Sequence, residues 1–301
     1  MVTTSRQPAP NRSALRRRAT RTGWSFILPN FIGFGLITLL PVLVLFYMAF
    51  TKWNAFGSPE FIGLDNFKRL IGDGSFRTAL INTLYYSSVH IPVTLFTSLG
   101  LALLLNTKLR GVTFFRTAAF FPYITSIVAI AAVWNQLFSA DGVMNQLIGL
   151  VGINLDKGWT ANSALAMPAV ILVSVWRDTG YFMLLYLAGL QTVPRVLHDA
   201  AYTDGATALQ RFRYVTWPCL RPTTFFVTVY LTIQSLKVFD LVLLLTRGGP
   251  GQSTVVLSQF IYQKGIREFQ YGYASAAAMV LFFLSLGITI IQFLVNRRNA
   301  P

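Results

Sequence analysis

Long apolar runs separated by short polar connections dominate this chain. Six runs, approximately 24–50, 80–106, 117–138, 163–191, 222–246 and 273–296, are rich in Leu, Ile, Val, Phe and Ala. A helix needs about 20 apolar residues to cross a hydrocarbon core roughly 30 Å thick. Every run reaches that length, so the pattern predicts an all-α integral membrane protein with six transmembrane helices. Pro41, Pro92, Pro122 and Pro168 fall inside the runs. In lipid, a proline break requires neighbouring protein to satisfy the freed carbonyl, so these spans are expected to pack against partners. Between the runs, 139–162 is expected to hold a short interfacial helix around Val143–Leu150. Gly248-Gly249-Pro250 reads as a turn that ends a helix sharply.

Composition supports a membrane class. Apolar residues make up 54% of the chain and charged residues 12%, against about 25% charged in a soluble domain. The net charge of +15 does not imply nucleic acid, because the basic residues are spread through short loops beside apolar runs, where they report membrane orientation. The one cysteine, Cys219, cannot form an internal disulfide. The two histidines, His90 and His198, lie far apart, so no cluster with metal-ligand spacing exists. His90 reads as a packed helix residue without a role.

Loop charges set the topology. Segments 1–23, 107–116, 192–221 and 297–301 carry Arg6, Arg12, Arg16, Arg17, Arg18 and Arg21, then further Lys and Arg, against only Asp199 and Asp204. The alternate connections hold comparable numbers of both signs. Positive segments stay inside, so both termini and 192–221 are expected to be cytoplasmic, and 297–301 forms a short tail. Residues 1–23 read as a flexible basic arm. The following apolar run is too long for a cleaved signal peptide, whose core spans about 7–15 residues.

The connection 192–221 is too ordered for a simple linker. It contains Asp199-Ala-Ala-Tyr-Thr-Asp-Gly-Ala206, then Phe212, Pro218 and Pro222. Ala200, Ala201 and Ala206 favour helix and present a smooth surface. Asp199 is expected in the first helical turn, where the dipole favours an anion. Gly205 permits a backbone bend, and the two prolines fix the start of the next span. Asp204 and Asp199 can contact a partner or pair with Arg211 and Arg213. No G-x-x-x-x-G-K-[ST] phosphate loop occurs anywhere, so no ATP hydrolysis is expected of this chain and no catalytic residue is assigned.

These residues resemble the cytoplasmic coupling loop of importer-type ATP-binding-cassette (ABC) permeases, whose pattern is Glu-Ala-Ala, two residues, Asp-Gly-Ala, a Phe and Pro-x-x-x-Pro. Asp199 departs from the usual Glu, keeping the charge on a shorter arm. Further segments resemble the carbohydrate branch, in particular its maltose-transport-type first permease subunit, with likeness also to glycerol-3-phosphate importer permeases. They are Phe61-Ile-Gly-Leu-Asp-Asn-Phe67, Leu187-Ala-Gly-Leu-Gln191, Leu245-Thr-Arg-Gly-Gly-Pro250 and Gly272-Tyr-Ala-Ser-Ala276. The resemblance implies a type I ABC importer permease fold in the cell membrane of a prokaryote. It implies a heterodimer with a second permease, two copies of an ATPase that bind the ATP and Mg, and an external binding protein. Asp199, Ala200, Ala201, Asp204, Gly205 and Ala206 would form the helix that the ATPase grips.

Charged residues inside the runs mark a candidate solute path. A charge at mid-bilayer costs roughly 2.5–3.5 kcal/mol, so such residues face a cavity or one another. Arg177 and Asp178 lie in the fourth run, Lys237 and Asp240 in the fifth. The last two, three apart on a helix, can pair. The resemblance carries the sugar-contacting positions of the maltose-type subunit onto Arg177, Asp178, Tyr181, Leu231, Gln234, Ser235 and Val238. Tyr181 would stack on a sugar face, while Gln234, Ser235 and Asp178 bond hydroxyls. Two other readings stand beside this one. The charged pairs can simply tie helices together, and Arg177 with Lys237 suits a phosphorylated solute such as glycerol 3-phosphate or a glycerophosphodiester. A secondary transporter using Asp178 or Asp240 as an ion site is the rival mechanism.

Overall fold

The structure, a computed structural model, describes residues 12–107, 110–150, 152 and 157–298. Helix α1 (Arg12–Phe34) passes through a π-helical turn at Gly35–Leu39 into α2 (Leu40–Ala49). Residues 12–23, expected within a flexible arm, are therefore helical and continuous with the first apolar run; residues 1–11 lie outside the described residues. A small antiparallel pair follows, β1 (Thr51–Lys52) with β2 (Glu60–Phe61), in the register Thr51 to Phe61. Among the described residues this is the exception to an otherwise helical architecture. Asn66 clamps it: its side-chain amide donates to the carbonyls of Ala49 and Thr51, both at 2.9 Å.

Next come α3 (Asp65–Gly72), the long α4 (Gly74–Leu105), α5 (Val112–Ile124) and α6 (Ile127–Leu137). Helix α7 (Val143–Gly149) is the short helix expected between the third and fourth runs. Helix α8 (Ala166–Gln191) leads to α9 (Arg195–Thr203) and α10 (Ala208–Arg211). The chain closes with α11 (Trp217–Leu236), α12 (Asp240–Leu245), α13 (Leu257–Tyr262) and α14 (Tyr271–Arg298).

Among the described residues, four helical stretches are long and apolar enough to cross a membrane: Gly23–Ala49, Gly74–Leu105, Ala166–Gln191 and Tyr271–Arg297. A fifth is obtained if α5 and α6, which meet at 97°, are one broken span. The fifth expected run, 222–246, is not one continuous helix. It divides between α11 and α12 because the backbone leaves helical geometry at Lys237 (φ −100°, ψ 10°) and Phe239 (φ −145°, ψ −60°). Asp240 then opens α12, where an anion suits the N-terminal end of the dipole.

Helices α4, α8 and α11 form the centre, with α4 packed along α8. One apolar cluster, including Trp134, Phe138, Val170 and Leu241, joins α6, α8 and α12. Another, including Phe182, Tyr186, Leu220 and Leu231, joins α4, α8 and α11. Helices α5 and α8 approach closely at Gly180. A Cβ there would lie 1.9 Å from the Ala119 carbonyl oxygen, so only glycine fits. The first span behaves differently: Phe26, Ile37 and Leu43 are exposed, as are Ile291 and Leu294 of α14. In a membrane chain such surfaces meet lipid or another subunit.

Asp73 caps α4. Its Oδ1 accepts from the N–H groups of Ser75 at 2.8 Å and Phe76 at 3.3 Å, and its Oδ2 accepts from the Tyr273 hydroxyl at 2.7 Å. Burial pushes the carboxyl up, but the bonds from Tyr273, Phe76 and Ser75, with Lys264 nearby, outweigh it and hold it below the usual carboxylate range. A depressed folded pKa adds stability above the unfolded value, and that stability is lost as pH falls through the folded value. Asp73→Ala is expected to cost about 1 kcal/mol at neutral pH through the lost cap. Asp73→Asn, which keeps a capping oxygen, is expected to flatten the acid limb of stability below about pH 4. Thermal unfolding across pH of the two purified variants checks both; an unchanged acid limb in the asparagine variant would remove Asp73 from the account.

Candidate functional site

Two regions concentrate polar chemistry: the loop between α8 and α11, and a cavity where α11 breaks.

In the loop, α9 starts at Arg195, immediately after Pro194, so Asp199 sits in the middle of the helix rather than in its first turn. Pro194 is the N-cap, extended at ψ 128°, and the residue before a proline is disfavoured in helical geometry, so the helix begins after it. Asp204 ends α9, and Gly205 follows at φ +74°, a left-handed conformation that glycine adopts without strain. Thr207 and Gln210 form a capping box for α10. Asp199, Ala200 and Asp204 are exposed, while Ala201 and Ala206 are half-buried. Neither acid pairs with Arg211 or Arg213 among the described residues. Arg211 instead lies over the Tyr202 ring at 5.5 Å, and Arg213 lies 6.0 Å from the Tyr214 ring. Both carboxylates thus remain available to a partner. Val196, Tyr202, Leu209 and Tyr214 are each more than two-thirds exposed beside them, an apolar face unusual for a polar connection. Pro218 occupies the first turn of α11, where its missing N–H costs nothing.

The cavity, of about 180 Å³, is lined from α4, α5, α6, α8, α11 and the 237–239 break. Of the nine residues expected on the solute path, Arg177, Asp178, Gln234, Ser235, Lys237, Val238 and Asp240 line it. Leu231 does not; it is fully buried in the α4–α8–α11 cluster. Tyr181 does not line it either. Its ring is stacked on Tyr123 at 4.4 Å and 12°, so one face expected to meet a sugar is already covered. The expected Lys237–Asp240 pair is absent among the described ion pairs. The helix stops between them, removing the i,i+3 geometry on which that pairing depended.

Asp178 is the centre of the polar groups. It is 6% exposed. Arg177 Nε donates to its Oδ1 at 2.8 Å, and His90 Nε2 lies 3.3 Å from its Oδ2. His90 Nδ1 in turn is 2.8 Å from Ser235 Oγ, and its ring stacks on Tyr86 at 5.1 Å. His90, read from the sequence as having no role, therefore bridges α8 and α11. It belongs to a buried polar stripe on α4: Thr83, Ser87, His90, Thr94 and Ser98. Their spacing of four, three, four and four places them on one helical face. That period is the sequence signal for a polar path, and it passes unnoticed when His90 is weighed alone. Among the described residues, no group of three or more His, Cys, Asp or Glu side chains could hold a metal.

The chain's sequence matches the family described as binding-protein-dependent transport system inner membrane component over residues 28–300. The chain belongs to that family. It is 36% identical over 289 residues to a probable ABC transporter permease, YesP, of Bacillus subtilis, covering 95% of this chain and 93% of that one. It is 34% identical to the lactose transport system permease LacF of Rhizobium radiobacter, covering 99% and 100%. It is 31% identical to the trehalose/maltose permease MalF of Thermococcus litoralis, covering 95% and 97%. Among solved structures it resembles a chain of a bacterial ABC transporter that imports the acidic polysaccharide alginate, with TM-score 0.83, 26% identity and coverage of 97% and 100%. The protein is thus a multi-pass inner membrane permease of a binding-protein-dependent ABC importer, a component of the transporter rather than its catalytic subunit.

Proposed function

We propose that the chain is one of two similar permease subunits, each with six spans and cytoplasmic termini, and that it imports a sugar or oligosaccharide. Two copies of an ATPase bind ATP and Mg and grip Asp199–Ala206, and an external binding protein delivers the solute. Sugar-importing relatives of near full-length similarity support the solute class. The observation that carries the path is the cavity at the α11 break, where Asp178, Ser235 and Gln234 offer hydrogen-bonding groups within a membrane-embedded centre. Its 180 Å³ is below the range of about 300–1,000 Å³ usual for ligand sites. Passage therefore requires α4, α8 and α11 to part, the motion that alternating access supplies. ATP-driven closure of the ATPase pair would move the α9 helix, and α9 with α10 connects α8 to α11 in the chain.

Arg177 and Lys237 both line the cavity, which favours a phosphorylated solute as the second reading. Gentle purification from the native membrane, followed by mass spectrometry, tests the assembly. A second permease and an ATPase at one to one to two are expected. Recovery of this chain alone, transporting without ATP after reconstitution, would overturn the proposal in favour of an ion-coupled carrier. Uptake of labelled maltose and glycerol 3-phosphate by reconstituted complex then separates the two solute classes.

A further inference from the structure

A second cleft, of about 530 Å³, opens beyond the break at the end of α12 away from the coupling loop. Arg247, Gln259, Tyr262 and Arg267 line it. Both arginines are exposed, and neither has a carboxylate partner among the described ion pairs. The adjacent acid, Glu268, is already held by Lys264 at 2.8 Å. Arg247 keeps a left-handed backbone at φ +54°, which non-glycine residues seldom adopt. Gln259 is 94% buried, at 6% exposure, and its Oε1 has no hydrogen-bond partner. Gln259 lines the cleft, although that oxygen itself is closed off from it. The Tyr262 ring lies 5.2 Å from Phe239, which lines the central cavity. An aromatic contact therefore links the linings of the two spaces.

We propose that this cleft is a second solute site that takes a sugar bearing an oxyanion, carboxylate or phosphate. The inference rests on the sugar-importer reading above. Arg247 and Arg267 would bind the oxyanion, since guanidinium groups form paired charge-assisted bonds to such oxygens. Gln259 forms part of the wall, and the Arg267 guanidinium is positioned over the Tyr262 ring at 5.8 Å. A neutral sugar leaves both guanidinium groups unanswered, so the site selects for charge before the solute reaches Phe239.

The test uses the whole transporter complex in lipid nanodiscs, with saturation-transfer NMR and three probes: digalacturonate, glycerol 3-phosphate and maltose. Binding of at least one anionic probe is expected, with maltose at background. The double change Arg247→Gln and Arg267→Gln is expected to weaken that binding by about tenfold or more. If the double variant fails to assemble, Arg267→Gln alone is read in the same way. Which anion binds separates a carboxylate site from a phosphate site. The proposal is overturned if neither anion exceeds maltose, if the variant keeps full binding, or if it loses only the docking of the external binding protein. ATP-driven uptake by the same wild-type preparation keeps the two readings apart. Anion binding without any sugar uptake sinks the sugar-importer reading alone; sugar uptake without anion binding sinks this site alone.

Discussion

Asp178→Ala is expected to destabilise the chain by about 3–5 kcal/mol, the usual cost of removing one partner from a buried charge pair. Asp178 is held between Arg177 Nε at 2.8 Å and His90 Nε2 at 3.3 Å. Alanine would leave a half-buried guanidinium and a fully buried imidazole facing an empty space. His90 would then lose its fixed orientation toward Ser235, and α4, α8 and α11 would share one tie fewer. Asp178→Asn keeps the shape and one acceptor, so a smaller loss is expected. Adding Arg177→Met to the alanine variant is expected to recover part of it, because the unpaired cation is removed; neighbouring sites are non-additive in this way. Thermal unfolding of wild type, Asp178→Ala, Arg177→Met and the double variant gives the cycle. Full additivity would mean that Arg177 and Asp178 do not act as a pair.

The second large effect concerns activity rather than stability. Ala200 is exposed on α9 beside two carboxylates that have no partner among the described ion pairs. Ala200→Trp is expected to leave the isolated chain within about 0.5 kcal/mol of wild type, as exposed substitutions usually do. A ring at that position would keep the ATPase from close approach. A loss of about 3 kcal/mol in docking corresponds to roughly a hundredfold in affinity. ATP-driven uptake and recovery of the ATPase on purification are expected to fall together, while solute binding in the membrane is retained. Normal uptake in this variant would show that the ATPase does not grip the α9 surface.

The helix-and-turn order of the 192–221 connection was legible in the sequence because its chemistry is local. Alanines, a glycine before Ala206 and prolines at fixed offsets dictate backbone behaviour within a few residues. Even so, the position of Asp199 within the helix depended on Pro194, which reset the helix start. The central cavity was only partly legible. Arg177 and Asp178 stood out as charges within an apolar run, and they do line it. Leu231 and Tyr181 were placed there by likeness, and packing took them elsewhere: one into the core, the other onto Tyr123. Lys237 and Asp240 were paired on the assumption of a continuous helix, and the break in the backbone separates them.

The sequence by itself determined that this is a helical membrane chain, where its apolar runs lie, and which connection holds an ordered helix and turn. Each of these depends on local composition, periodicity or short fixed spacing, all of which survive without knowledge of neighbours. Only the tertiary structure decided which polar groups meet. His90 and Ser235 are 145 positions apart yet lie at 2.8 Å, because α4 and α11 pack side by side. A buried polar atom must find its partner across that interface, and no property of either helix alone specifies which partner it finds.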